Sequence, residues 1–371
     1  MITLRRIVAL AVKELLAILR DKKSRIVLIG PPIAQLLVFG YAATFDLNNI
    51  PIAVYNEDRS APSRELVARL TGSPHFELVG YLDHNAQITP LIDNKDALMV
   101  LHLGPRFSEH LKRGKTAPVQ LIIDGRNSNT AMLALGYLRS ILIDFNIDWS
   151  RQHGRPGPPA ALKIRPWYNE NLLSRWFIIP GIVGLLALVI TTIVTGLSVA
   201  REREAGTFDQ LLVTPLRPVE ILIGKSIPGI LIGLIEGTFI LLVVVFWFEV
   251  PLRGSIGALY LGMFLFLLSA VGIGLMISSL AVTQQQGILG AFLFLVPAVI
   301  LSGFATPISN MPELVQQLTL INPMRYFMVI LRGVFLEGDS YELLFNQYWP
   351  MAIIAMVTLS LAGWLFRNRM N

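Results

Sequence analysis

The sequence contains no cysteine, which excludes a disulfide frame, a thiolate nucleophile and a Cys-ligated metal centre. Charge is also scarce. Only 15% of the 371 residues are Asp, Glu, Lys or Arg, against 53% hydrophobic, with a mean hydropathy of +0.59. That apolar excess exceeds what an ordinary soluble domain carries and points to membrane helices. Histidine is limited to five residues, His75, His84, His102, His110 and His153, none at paired-ligand spacing, so surface roles are expected and no metal site. There is no HExxH helix and no G-x-S-x-G elbow. Gly224-Lys225-Ser226 matches the end of a phosphate-binding loop, but Val219 stands where the earlier glycine is required. The following residues also run into an apolar segment. No catalytic residue and no nucleotide site are therefore expected on this chain. The first 25 residues carry charge throughout and lack the apolar core and small-residue site of a cleavable signal peptide. The net charge of +6 sits in the flanks of apolar segments rather than on a basic face, which argues against nucleic acid as a partner.

Crossing the hydrocarbon core takes about 20 apolar residues. Six segments qualify: Ile26–Phe45, Trp176–Ala200, Ser226–Phe248, Ile256–Val282, Gly287–Thr306 and Tyr348–Phe366. The fold class expected is an α-helical polytopic membrane protein with an extracytoplasmic α/β domain between its first and second spans. The first span contains Pro31, Pro32 and Gln35, and the fifth contains Pro297; neighbouring helices can satisfy the backbone groups that proline frees. Lys and Arg cluster before the first span (Arg5, Arg6, Lys13, Arg20, Lys22, Lys23, Arg25), after the second (Arg201, Arg203, Arg217, Lys225) and after the last (Arg367, Arg369). The loop Glu249–Ser255 holds only Arg253. This asymmetry predicts both termini in the cytoplasm.

The chain thus divides into a cytoplasmic amphipathic N-terminal helix (1–25), a first span (26–45), the extracytoplasmic domain (46–174) and a five-helix membrane region (175–371). In the first part Ile7, Leu10, Ala11, Leu15 and Ile18 recur at helical spacing with Arg6, Lys13 and Arg20 between them, as in a helix lying on a leaflet. In the extracytoplasmic domain Pro51–Tyr55, Ala97–Leu103 and Val119–Ile123 read as strands. Ser60–Leu70 (with a Ser cap), Pro105–Arg113 and Asn129–Trp149 read as helices, and Asn127 and Asn129 are candidate caps of the last. Pro307–Gln347 mixes short apolar runs with Pro312, Pro323, Arg325 and Arg332. Two short helices, re-entrant from the outside or lying on the surface, fit this outer segment.

Glu236 lies near the middle of the third span, where a charge costs at least about 2.5–3.5 kcal/mol. It must be protonated, paired or facing water. A substrate or proton contact and a structural carboxyl bonded to a neighbouring helix both remain open. Gly229, Gly233 and Gly237 repeat every four residues on that span and give a flat face for close helix packing.

The most informative stretch is Ala200–Lys225, AREREAGTFDQLLVTPLRPVEILIGK. A charged helical turn leads to a Gly206-Thr207 break, then a short amphipathic helix (Phe208–Val213) stopped by Pro215 and Pro218. A short stiff segment between two spans is a lever: a partner that moves it moves both spans. The same stretch resembles the intracellular segment of type-2 permeases of ATP-binding-cassette (ABC) exporters, the drug, antibiotic and polysaccharide export class. Arg201, Glu202, Arg203, Glu204, Gly206, Thr207, Leu211, Leu212, Thr214, Pro215, Glu220, Gly224 and Lys225 match that pattern. Ala53–Arg59 (AVYNEDR), Ser302–Pro307 (SGFATP) and Asn322–Tyr326 (NPMRY) resemble further parts of the family, so the likeness covers essentially the whole chain.

The resemblance implies a permease subunit in a bacterial inner membrane, with ATP and Mg bound on a separate ABC ATPase subunit and no cofactor on this chain. It implies a second permease copy or paralogue and walls of the path from the first, second and fifth spans. Arg201, Glu202, Arg203, Glu204, Gly206, Thr207, Phe208, Leu211, Leu212 and Pro215 would form the coupling region, within the segment 201–225. The large external domain suggests drug-type or other small amphipathic cargo, multidrug efflux, and hand-over to a periplasmic adaptor and outer-membrane channel. Two other classes stand beside this one: a proton-coupled secondary transporter using Glu236, and a membrane-anchored sensor or scaffold. The absence of an inverted repeat weighs against the former, and six spans without a signalling module weigh against the latter.

Overall fold

From Ile50 to Ile123 apolar residues recur at every second position in short runs, and these runs form strands. The computed structural model describes residues 2–42, 47, 49–154, 167–169, 174–208 and 216–370. It divides into two compact units, Met1–Thr44 with Pro166–Asn371, and Phe45–Arg165. In the second unit β1 (Ile50–Asn56), β2 (Phe76–Tyr81), β3 (Met99–Leu103) and β4 (Val119–Ile123) build one sheet in the order β2-β1-β3-β4. β1 runs parallel to β2 and β3, and β4 closes the sheet antiparallel to β3. Ile52, Val54, Met99, Leu101 and Leu103 enter a core shared with α3 (Ala61–Thr71), α5 (Phe107–Lys112) and α6 (Ser128–Gln152). Ala53 and Val100 join a smaller core with Ile88 of α4 (Ile88–Asp93).

The sequence reading missed β2 and α4. β2 is an edge strand whose Glu77 and Val79 are exposed, so its apolar alternation is weak. Ser60 stands at the start of α3 but makes no capping bond; its hydroxyl bonds the Asp58 carboxylate instead. Asn127 does cap α6, accepting from the Thr130 N–H at 3.3 Å. By length and composition α6 could itself cross a membrane, yet its Ala134, Leu138, Phe145 and Trp149 pack in the core beneath the sheet.

The first unit is helical: α1 (Ile2–Arg20), α2 (Lys22–Ala42), α7 (Ser174–Gly196), α8 (Ser198–Glu204), α9 (Pro218–Phe246), α10 (Ile256–Leu280), α11 (Gln284–Ile300), α12 (Glu313–Leu318), α13 (Pro323–Arg332) and α14 (Tyr341–Met370). The six expected spans fall on α2, α7, α9, α10, α11 and α14. Stretches 175–204, 218–246, 256–280 and 341–368 are long and apolar enough to cross, whereas α2 and α11 offer the shorter apolar stretches 28–41 and 284–300. Several boundaries differ from the reading: α11 ends at Ile300 rather than Thr306, and α14 begins at Tyr341 rather than Tyr348. The second span breaks at Leu197, and the third begins at Pro218, where the Glu220 carboxylate accepts the Arg217 N–H at 2.8 Å as in a capping box. Glu313–Ile321 and Pro323–Glu337 form a helix pair bent by 87°, matching the two short helices expected between the last two spans. α7 lies at the centre: Ile182, Val183, Leu186 and Ala187 are buried in the core, where Phe266 of α10 and Phe327 of α13 stack at 4.5 Å. At the ends of α2 and α9 the exposed Trp247 donates to the Tyr41 hydroxyl at 2.7 Å, the amphipathic aromatic chemistry of a membrane–water interface.

Candidate functional site

The break at Leu197 exposes the first N–H groups of α8, and a helix start needs acceptors for them. Ser278 of α10 supplies one: its hydroxyl oxygen accepts from Val199 N at 2.9 Å and Ala200 N at 3.2 Å. The charged turn that follows then ties neighbouring helices to α8. The Arg203 guanidinium donates to the carbonyls of Ser279 at 2.9 Å and Ala281 at 3.1 Å, a cation at the C-terminal end of α10. Glu204 accepts from Gln284 N at 2.8 Å, an anion at the N-terminal end of α11. α8 stops at Gly206, whose φ of +67° is the left-handed conformation of a helix C-cap. Thr207 N then donates to the Glu202 carbonyl at 2.9 Å.

Glu202 points inward. One carboxylate oxygen lies 2.5 Å from Lys13 Nζ of α1, and the other 2.7 Å from Lys225 Nζ of α9. Lys225 also reaches Glu14 of α1 at 2.8 Å and donates to the Ser198 hydroxyl at 3.2 Å. The Lys225 side chain is 1% exposed and those of Glu14 and Glu202 are 8% exposed. Burial pushes the Glu14 carboxyl up, but the Lys225 ammonium and Lys13 outweigh it and hold the carboxyl below its ordinary value. Burial lowers Lys13, and the Glu202 carboxylate more than offsets that, so the ammonium is held above its ordinary value. Charge taken out of water needs such close pairing. Beside the ion network Leu10, Val199, Phe208, Ile221 and Phe366 form a buried apolar cluster. In it the rings of Phe208 and Phe366 meet edge-on at 5.9 Å, and Arg203 lies over the Phe208 ring at 4.9 Å.

Among the expected coupling residues, Glu202 and Phe208 are buried against their own chain. Glu204, Gly206 and Thr207 are exposed. Leu211, Leu212, Thr214 and Pro215 lie outside the described residues, as does most of the expected helix Phe208–Val213. Sequence reasoning missed Glu14. The available signal was an acid on the apolar stripe Leu10–Glu14–Ile18, all three of which are buried. Lys225 read as a topology-setting flank charge and is instead the centre of the network.

Next to this corner, α2, α7 and α11 line a partly open cavity of about 700 Å³. Leu28, Leu186, Ile190, Ile288, Phe292 and Val296 give it apolar walls, and Asp21, Gln35, Arg201 and Gln284 add polar groups. Volume and lining are those of a site for a small, largely apolar molecule. Glu236 is not among the lining residues. It is buried, and neither carboxylate oxygen has a hydrogen-bond partner among the described residues. Gly229, Gly233 and Gly237 lie where α9 meets α7 and α10. A Cβ at 229 would meet Thr195; one at 233 would lie 2.7 Å from Leu267; one at 237 would lie 2.7 Å from Met263 Sδ. Among the described residues no cluster of three His, Asp or Glu could hold a metal ion.

The chain is similar to known transport proteins over nearly its whole length. A family model described as ABC-2 family transporter protein matches residues 22–364. The "Probable multidrug ABC transporter permease YbhR" of Escherichia coli (strain K12) is 40% identical over 358 residues, covering 96% of this chain and 97% of that protein. The "Probable multidrug ABC transporter permease YbhS" of the same organism is 35% identical over 341 residues, 90% of this chain and 89% of its own. The "Inner membrane transport permease YhhJ", also from that strain, is 27% identical over 372 residues, 98% of each chain.

Proposed function

We propose that this chain, which belongs to the ABC-2 family of transporter proteins, is the membrane-spanning permease of an ATP-driven exporter of drugs or other small amphipathic compounds. The observation that carries this reading is the α8 corner: one charged turn grips α1, α9, α10 and α11 at once. Force applied to the segment after Phe208 reaches every one of those helices. ATP and Mg are bound by a separate ABC ATPase subunit, and residues 209–215, with Leu211, Leu212 and Pro215, carry the docking surface. Two permease chains, identical or paralogous, face each other across the cavity bounded by α2, α7 and α11, and ATPase closure on the levers shifts those walls. The chain crosses the inner membrane six times with both termini cytoplasmic. Its α1 lies on the cytoplasmic leaflet, with Leu4, Val8, Val12 and Leu16 exposed along one stripe to meet lipid. The Phe45–Arg165 unit lies outside, where a periplasmic adaptor and outer-membrane channel would receive the cargo.

The test is co-purification in mild detergent from the native membrane. Leu212→Arg is expected to release an ABC ATPase that accompanies the unaltered chain, without lowering the melting temperature. If no ATPase accompanies the unaltered chain in several detergents, the exporter reading fails. Glu202 and Phe208 are poorer probes, because replacing either disturbs the corner itself.

A further inference from the structure

α13 buries one face completely and carries two arginines on the other. Met324, Phe327, Ile330 and Leu331 are buried in the bundle core. Arg325, Val329 and Arg332 follow one another at the spacing of a single helix face, and Val329 is 44% exposed. The two arginines are provided for differently. Arg325 donates to the Gln316 carbonyl at 3.2 Å and to the Thr319 hydroxyl, and its guanidinium lies near the Tyr326 ring. Arg332 donates from Nη2 to the Gly303 carbonyl at 3.0 Å and lies over the Phe177 ring at 4.1 Å. Its Nε is buried without a partner, and among the described residues no carboxylate pairs with it. Asp339 folds back on Gly333, donating its N–H to the Gly333 carbonyl at 3.0 Å, and makes no ion pair with Arg332. A carbonyl and a ring face offer only partial negative charge, so this partly buried guanidinium is one anion short.

The surroundings hold the guanidinium in place. A Cβ added at Gly181 of α7 would lie 2.6 Å from the Phe304 ring and 2.8 Å from Met328 Cε. The three elements around Arg332, which are α7, the turn at Gly303 and α13, are thus packed without slack. The surroundings also select the anion. Phe177 is 39% exposed, so Phe177 and Val329 give Arg332 an apolar, outward-facing rim. Just after Arg332, the Val334 carbonyl accepts the Gly254 N–H at 2.8 Å, which ties this stretch to the loop between α9 and α10. A loop between two spans marks a membrane boundary, the depth at which the bilayer's own phosphates lie.

We propose that Arg332, backed by Phe177, binds the phosphate of a bilayer phospholipid, whose acyl chains lie against Phe177 and Val329. The planar fork of a guanidinium suits a phosphate. The bound lipid supplies the missing anion and steadies α13 and the Gly303 turn against α7. This rests on the membrane placement proposed above and on neither ATP nor the cargo.

The test uses the full chain, delipidated in a phosphate-free detergent. Its melting temperature is followed as dioctanoyl phosphatidylglycerol, dioctanoylglycerol or inorganic phosphate is added. The phospholipid is expected to raise it. Dioctanoylglycerol has the chains without the phosphate, and inorganic phosphate lacks the chains; neither is expected to match that rise. Arg332→Gln is expected to weaken the apparent affinity for the phospholipid by about tenfold or more, the scale of one hydrogen bond to a charged group. Arg332→Lys keeps the charge without the fork and is expected to fall between the two. Arg325→Gln is expected to leave the affinity unchanged. Without lipid, Arg332→Gln is expected to melt no lower than the original, because it removes a charge that has no partner. A merely structural arginine would instead melt lower on substitution and keep its lipid response. Three results overturn the proposal: a native chain that does not respond to the phospholipid, a response that Arg332→Gln and Arg332→Lys leave intact, or an equal response to inorganic phosphate or to dioctanoylglycerol. A chain that stays in solution without detergent would fail the membrane placement itself, an outcome distinct from those three.

Discussion

The α8 corner and the cavity beside it meet at Arg201 and use opposite chemistry. In the corner four ionisable side chains pair at 2.5–2.8 Å, which fixes their spacing. In the cavity most of the lining is aliphatic or aromatic, and apolar burial has no preferred direction. Paired charge holds one geometry and punishes departures from it; apolar walls accept many occupants and many small displacements. A transporter that takes varied amphipathic cargo needs the second property where cargo binds and the first where force enters.

The largest effect that should separate the two regions comes from Lys225→Met. Two buried carboxylates then lose their shared ammonium, and removing one partner of such a pair costs about 3–5 kcal/mol. A marked fall in the melting temperature of the purified protein is expected. Glu14→Gln/Lys225→Met should recover much of it, because less charge is left unpaired. Equal losses in the single and double variants would show that the network does not act as a unit. Next comes Phe292→Ala on the cavity wall, where Phe292 is half exposed. Its melting temperature should barely move, while apparent affinity for a lipophilic probe dye should shift by about tenfold, the worth of one apolar contact in a pocket. A collapse in stability instead would give this wall a structural role.

A smaller contrast lies in pH. The Glu14 carboxyl is held below its ordinary value in the folded protein. Its contribution is therefore present above the unfolded value of about 4.3 and is lost as pH falls through the lower folded value. Lys13 is held above its ordinary value. Its contribution is complete below about 10.4 and fades only as pH rises through the higher folded value. The stability difference between the native chain and Glu14→Gln should therefore be flat from about pH 5 to about pH 9 and shrink in acid. A difference that titrates near neutrality would contradict the pairing. The smallest effect is expected from Glu236→Gln. Glu236 lies outside the cavity lining and is unpaired among the described residues, so transport should be unchanged across the pH range. A shifted pH profile would bring Glu236 back into the path.

Much of this was legible in the sequence. Apolar runs located the helices, β4 was read to the residue, and the stretch from Arg201 to Lys225 marked the corner. What escaped has physical reasons. β2 is an edge strand whose exposed side carries Val79 and Tyr81 beside Glu77, so its periodicity is faint. The helix break at Leu197 leaves no sequence signal because Ser278, far along the chain, accepts the exposed N–H groups. Glu202 and Phe208 belong to a motif that suggests docking, and only the packing reveals that both face inward. Glu14 was invisible because its partner stands 211 residues away. No local pattern encodes such a pairing, although an acid on an apolar helical stripe is a reason to search for one.

The most direct test of the whole account uses inside-out membrane vesicles carrying the complex with a single cysteine at cavity position 288 (Ile288→Cys). Maleimide labelling is followed with Mg-ATP and vanadate, with ADP, and with a protonophore that collapses the proton gradient. ATP-driven movement of the cavity walls predicts a labelling rate that changes with Mg-ATP and vanadate and ignores the protonophore. A rate that follows the proton gradient and ignores ATP would contradict it and make the protein a proton-coupled transporter.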